Sequence, residues 1–333
     1  RLRDQCIWGV GNIAADCYTC KEAVRRTSVL DTMAKLMKQG AFPTLESIKC
    51  PIWCALNILR GANVFLSPVT ARLLLSVLSK TMRRYEGSNM HVSDVLLTLS
   101  LIADDRNFSQ NPLAWPGQID AMIGEPDLVK LTMEAIAASV AAVFSPGLRL
   151  LGNIITGTDE QTERVIMRDG FVKLIGSCLA CPNRQSRREA AWILSNIAAG
   201  PPDHVDLILK EGEVIGQLMH RLRNNDDRLQ KEVCYVFANV LQSLNLHPRP
   251  ALLTEFLGYG VLAIVEFATR NGSDVRLVNK IREVLSALLV THPEFWCAVE
   301  KASAGHTPLL VAPKRRTVAP ADYVIYDEDA MEI

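Results

Sequence analysis

The sequence predicts an all-α protein that forms one right-handed solenoid of stacked helices. A short motif recurs along the chain, helix start and stop signals surround it, and no segment keeps the two-residue alternation of a β-strand. A length of 333 residues would by itself suggest two or three globular domains. The repeats instead predict a single solenoid of roughly seven copies over residues 1–300, followed by a tail at 301–333.

The recurring motif places an aromatic residue or an arginine four residues before an asparagine. The last three motif asparagines are 43 residues apart, a period typical of armadillo and HEAT solenoids. Leu97 and Leu101 take the two positions in a degenerate copy, and residues 283–287 form another. The five clear copies are Trp8/Asn12, Trp53/Asn57, Arg149/Asn153, Trp192/Asn196 and Tyr235/Asn239.

Residues 158–200 show how one copy should fold. Thr158 is a candidate N-cap with Gln161 three residues later, and this first helix should stop at the following Asp-Gly pair. A second helix should begin at Phe171, and a third should run over 187–199, ahead of a glycine and two prolines. Three helices per repeat of about 43 residues is the armadillo arrangement.

Each motif should present its two side chains together, because residues four apart share one face of a helix. The opposite face of this third helix is apolar, so we expect it to pack into the stack. The motif side chains should then form an exposed ridge on the concave surface, where solenoids usually bind partners. A lone tryptophan is more often a core residue and a lone asparagine often faces water, but five copies in one register favour the ridge.

The residue types of the ridge predict its ligand. An asparagine side chain can donate to a peptide C=O and accept from a peptide N–H. Slots between aromatic rings accept lysine or arginine stems, whose cations gain about 0.5–2 kcal/mol from the rings. Three acids near the slots, Asp16, Asp159 and Glu232, should select cations. The predicted ligand is an extended, lysine-rich peptide.

Four segments around the motif resemble repeats of importin α. Residues 4–16 look like its third armadillo repeat, and residues 148–162 are very similar to its sixth, which also carries arginine in place of tryptophan. Residues 188–200 and 230–239 resemble its seventh and eighth repeats. The resemblance runs over residues 1–293, and its Gly-Asn-Ile-Ile-Thr-Gly-Thr-Asp-Glu-Gln string is highly specific.

The resemblance implies a nuclear import adaptor that binds basic nuclear localisation signals of cargo at two sites. It further implies importin β and an export receptor as partners, no cofactor, and shuttling between cytoplasm and nucleus. The residues it implies for the major site are Trp8, Asn12, Asp16, Trp53 and Asn57. Those it implies for the minor site are Arg149, Asn153, Asp159, Trp192, Asn196, Glu232, Tyr235 and Asn239.

Several departures from the family pattern indicate a divergent member. Tyr235 replaces a tryptophan, so its slot should be shallower and attract a cation less strongly. Leu97 and Leu101 remove the polar pair of the fifth repeat. The stretch between Asp104 and Arg149 is longer than the family pattern, and we expect its Trp115 to lie on an exposed loop. The second repeat's pair and the basic segment that recruits importin β are missing, so we expect an N-terminally truncated chain.

Composition and motifs weigh against other classes of protein. Lys+Arg and Asp+Glu both number 36, which disfavours direct binding to nucleic acid phosphates. No apolar run reaches the ~18 residues that span a membrane. Walker, GxSxG and HExxH motifs are absent, so we expect no catalytic residue and no enzyme. The CxxC pairs Cys17/Cys20 and Cys178/Cys181 lack further ligands at metal-site spacing, and we interpret them as small apolar residues in helices and loops rather than as a metal site.

The tail and one alternative function remain open at this point. Residues 314–316 form a basic cluster before the acidic stretch 321–333, which predicts a solvated, partly disordered tail. A second hypothesis places the cluster in the protein's own groove as a substitute for cargo. The alternative to an import adaptor is an armadillo scaffold that binds a structural or signalling partner and has no role in transport.

Overall fold

A computed structural model describes residues 2–61, 66–84, 89–104, 117–138, 140–222, 226–247 and 275–297, together with 264, 265, 267 and 300. These residues form helices and connecting turns, with no strand among them, which confirms the all-α prediction. None of the described helices is both long enough and apolar enough to cross a membrane. The predicted tail at 301–333 and the loop around Trp115 lie outside the described residues.

The helices follow one another with short connections. Their bounds are α1 Leu2–Asp16, α2 Tyr18–Arg25, α3 Val29–Lys38, α4 Leu45–Leu59, α5 Pro68–Arg84, α6 Asn89–Ala103, α7 Gln118–Gly124, α8 Leu128–Ala137, α9 Ala141–Ile154, α10 Asp159–Ile166, α11 Phe171–Cys178, α12 Arg184–Ala198, α13 Pro202–Lys210, α14 Gly212–Leu222, α15 Asp227–Leu246 and α16 Val275–Thr291, with a 3-10 turn at Pro293–Phe295.

One helix from each repeat carries the motif or its degenerate form, and we call these the ladder helices. Each ladder helix packs on the next one: α1 on α4, α4 on α6, α6 on α9, α9 on α12, α12 on α15, and α15 on α16. Their inward residues, such as Ile58, Leu99, Ile193 and Val236, belong to one continuous apolar cluster. Neighbouring repeats therefore share a single core, as expected for a solenoid.

The repeat at 158–200 folds as three helices, with one boundary different from the prediction. Thr158 caps α10, and Gln161 closes the capping box by reaching back to the Thr158 backbone. Gly170 takes a left-handed conformation with φ of 71° before α11. The third helix begins at Arg184 rather than at 187, because Asn183 acts as its N-cap and accepts a hydrogen bond from the backbone N–H of Ser186.

Candidate functional site

The ladder asparagines link successive ladder helices. Asn57, Asn153 and Asn239 are only 4%, 5% and 8% exposed, so the prediction of an exposed ridge is wrong for these three side chains. In each case Nδ2 donates to a backbone carbonyl of the preceding ladder helix. The three acceptors, in chain order, are the carbonyl oxygens of Gly11 at 3.5 Å, Ser100 at 2.9 Å and Ser195 at 2.9 Å.

The other two ladder asparagines are placed differently. Asn12 on α1 is exposed. Asn196 on α12 is half-buried, and its buried Nδ2 has no hydrogen-bond acceptor among the described residues. A buried amide donor without an acceptor costs free energy, so native proteins rarely keep one. Asn196 therefore differs from the three buried ladder asparagines, whose Nδ2 atoms donate to the preceding ladder helix.

The tryptophan rings of the ladder pack on glycines of the preceding ladder helix. A Cβ added to Gly11 would lie 2.4 Å from Cζ3 of Trp53, and one added to Gly152 would lie 2.1 Å from Cζ3 of Trp192. Both tryptophans are accordingly half-buried, with one side of the ring against the backbone. Trp8 has no ladder helix before it among the described residues, and it is 55% exposed.

The glycine before the motif asparagine is a site residue that sequence reasoning missed. The sequence did contain a signal for it: the residue just before the motif asparagine is a glycine where the next copy carries a tryptophan, and a larger residue where it does not. Gly11 and Gly152 each precede a tryptophan in the following copy, whereas Leu56 precedes the copy in which Leu97 replaces the aromatic residue. A leucine side chain in place of the glycine leaves no room for an indole ring on the backbone. The copy on α6, which has no aromatic residue, therefore packs on a helix, α4, that has no glycine to make room for an indole ring.

Arg149 occupies the surface beside Trp192. Its guanidinium carbon lies 5.5 Å from the centre of the Trp192 ring, and its Nη2 donates to Oε1 of Glu189. Glu189 is 3% exposed and also accepts from Nε2 of Gln185. Arg149 thus places one of the protein's own cations beside the Trp192 ring, between α9 and α12.

The three predicted acids are in different surroundings. Asp16 is exposed, one turn beyond Asn12 at the end of α1. Asp159 is exposed but lies in the first turn of α10, outside the ladder helices. Glu232 is half-buried on α15, three residues before Tyr235. Of the three, Asp16 and Glu232 are on ladder helices.

A basic residue, Lys280, lies on α16, the last of the ladder helices. A cavity of about 300 Å³ lies between α12, α15 and α16, and its lining includes Asn239, Gln242 and Lys280. Nζ of Lys280 donates to Oε1 of Gln242 over 3.4 Å, and burial lowers the pKa of this amine. A second cation is disfavoured beside Lys280.

Comparison with curated proteins finds importin α subunits. The chain is 23% identical over 220 residues to importin subunit alpha-9 of Arabidopsis thaliana, covering 62% of this chain and 38% of that protein. It is 26% identical over 219 residues to importin subunit alpha-1a of Oryza sativa subsp. japonica, covering 66% and 39%. The chain thus spans less than two fifths of the length of these relatives. No protein-family model matches it.

Comparison with solved structures finds armadillo-repeat proteins. A designed armadillo-repeat protein in complex with the peptide (KR)4 superposes with a TM-score of 0.60 at 17% identity, covering 78% of this chain and 99% of that one. A computationally designed armadillo-repeat protein for modular peptide recognition gives 0.61 at 16% identity, with coverage of 78% and 99%. These likenesses confirm the fold. The similarity is to non-enzymatic binding proteins, in line with the expectation for this chain. The chain is thus an armadillo-repeat solenoid that is similar in sequence to importin α subunits.

Proposed function

We propose that the chain is a nuclear import adaptor that holds extended, lysine- or arginine-rich localisation signals of cargo along the ladder. The observation that carries the proposal is the repetition of aromatic and asparagine side chains on successive, stacked helices. The similarity to importin α subunits supports the same function. Importin β and an export receptor are the further partners of such an adaptor, which shuttles between cytoplasm and nucleus.

The ladder residues would have separate roles in binding. The amide oxygen and the second N–H of each asparagine would pair with the peptide backbone, whatever its side chains are. The open side of Trp192 and the ring of Tyr235 would hold a lysine stem between α12 and α15. Asn196, whose Nδ2 has no acceptor among the described residues, would gain one in the peptide. The Trp8 and Trp53 region would bind a second stretch of the signal.

The binding step is tested by titrating a lysine-rich extended peptide into the protein by calorimetry. Trp192→Ala should weaken binding by about 0.5–2 kcal/mol through lost cation–π attraction. Asn196→Ala should weaken it by about 0.5–1.5 kcal/mol through a lost backbone hydrogen bond. Trp296→Ala is the matched control, because Trp296 follows the last ladder helix; it should leave the affinity unchanged.

The outcomes separate the import adaptor from the alternatives. Binding that is indifferent to both ladder changes favours a scaffold for a structural or signalling partner. Tight oligonucleotide binding with a steep salt dependence would instead indicate a nucleic-acid surface. The transport step is measured separately, by asking whether the full-length protein carries a labelled lysine-rich cargo into the nuclei of permeabilised cells only when importin β is added.

A further inference from the structure

The junction between α1 and α2 gathers two thiols and a carboxylate at the surface. Asp16 ends α1, Cys17 is the N-cap of α2, and Cys20 lies in its first turn. One ligand atom from each of the three lies within 4.8 Å of the other two. Cys17 is exposed and Cys20 is half-buried, whereas Cys178 and Cys181 are buried.

Hydrogen bonds already orient the three groups toward one another. The Cys20 thiol donates to Oδ2 of Asp16 over 3.7 Å, and the backbone N–H of Cys20 donates to Sγ of Cys17 over 3.2 Å. The three ligand atoms are therefore already gathered, and a cation would replace the thiol proton that bridges Cys20 and Asp16.

We propose that Asp16, Cys17 and Cys20 form a binding site for a thiophilic divalent cation, Zn²⁺. Zinc binds thiolates at about 2.3 Å and carboxylate oxygens at about 2.0–2.2 Å in a tetrahedron, whose ligand-to-ligand edge is then about 3.5–3.8 Å. The 3.7 Å between Sγ of Cys20 and Oδ2 of Asp16 matches that edge. Because the cluster is at the surface, water or a partner's side chain completes the fourth position.

The two helix ends that meet here favour the charges of such a site. The carbonyl groups at the C-terminus of α1 carry partial negative charge, which attracts the cation. The amide groups at the N-terminus of α2 stabilise the thiolate of Cys17. When both thiols start protonated, binding one Zn²⁺ forms two metal–sulfur bonds and releases two protons to solvent. The site does not rest on the proposed function.

The test is a metal titration of the full chain, reduced with a phosphine. Co²⁺ should give the near-ultraviolet thiolate-to-cobalt charge-transfer absorption, rising to one equivalent per chain, and Zn²⁺ should displace it. Cys17→Ser/Cys20→Ser should abolish the band, and Asp16→Asn should weaken binding at least about tenfold. These variants should keep the fold, because serine is itself a favoured N-cap, Asp16 is exposed and Cys20 is only half-buried. Circular dichroism checks this.

Cys6→Ser is the matched control, because Cys6 is another exposed thiol on α1. It should leave both the band and the affinity unchanged. A wild-type chain without the band would overturn the proposal, as would a band that survives Cys17→Ser/Cys20→Ser. An Asp16→Asn chain that binds as tightly as wild type would overturn the three-ligand site. A chain that binds no metal when reduced, but forms a Cys17–Cys20 disulfide with peroxide, would overturn it in favour of a redox dithiol.

Discussion

At the scale of single residues, the ladder asparagines differ in the structural contacts that they make. Asn239 gives one N–H to the Ser195 carbonyl, and Asn153 gives one to the Ser100 carbonyl, each over 2.9 Å. Asn196 makes no such contact, since its buried Nδ2 has no acceptor among the described residues. The same residue type at equivalent positions should therefore contribute differently to folding.

The pair Asn239→Ala and Asn196→Ala measures that difference. Asn239→Ala should lower the free energy of unfolding by about 0.5–1.5 kcal/mol, because a buried inter-repeat hydrogen bond is lost. Asn196→Ala should lower it less, because no bond to protein is lost. Both changes should weaken the binding of a lysine-rich peptide. Urea unfolding and peptide titration check the two readouts, and an equal loss of stability in both variants would contradict the distinction.

The sequence predicted which residues form the ladder but not how deeply they are buried. Helical spacing places Trp192 and Asn196 on one face, and that geometry is local. The burial of Asn57 depends on a carbonyl of α1 that lies 46 residues away in the chain. Helix periodicity carries no information about such a contact. The cluster of Asp16 and Cys20 was missed for a different reason: it is local, and it forms because α2 starts directly where α1 ends.

At the scale of helices, the approach of α12 to α9 depends on the absence of a side chain at Gly152. The Trp192 ring lies where a Cβ of residue 152 would be. The sequence did predict where α10 begins in this repeat, since Thr158 and Gln161 form the predicted capping box. The sequence did not predict the contact between Trp192 and Gly152. A glycine inside a helix by itself indicates only a loss of helix stability of up to about 1 kcal/mol.

Gly152→Ala tests whether this close approach holds the two helices. The added Cβ would overlap the indole ring, so the ring or the helix must move, and overpacking of this kind costs about 1–3 kcal/mol. Gly216→Ala on α14 is the matched control, because a Cβ there meets nothing within 4 Å. That change should raise stability by up to about 1 kcal/mol. Thermal unfolding and tryptophan fluorescence follow both variants, and a Gly152→Ala protein as stable as the control would refute the packing argument.

At the scale of the whole molecule, the ladder falls into two stretches. α1 and α4 carry Trp8 and Trp53, and α9, α12 and α15 carry the second stretch, while α6 between them has Leu97 and Leu101. The repeat period predicted this continuous stack from the sequence, because each copy needs its neighbours to bury its apolar face. The sequence also predicted the interruption of the ladder at α6. It did not predict the role of Leu56, which follows from the packing of the ladder tryptophans on Gly11 and Gly152.

Two binding stretches on one stack of helices should act together on a long ligand. A peptide with two lysine clusters, joined by a flexible linker that reaches past α6, binds its second cluster intramolecularly once the first is held. Its affinity should exceed that of either single cluster by up to about 10²–10⁴-fold, falling again when the linker is too short to span the gap. Calorimetry with a linker-length series measures this gain. Trp53→Ala should reduce the gain for the long peptide and leave a single cluster bound at the second stretch unaffected. If the two-cluster peptide binds no more tightly than one cluster at every linker length, the two stretches do not form one groove.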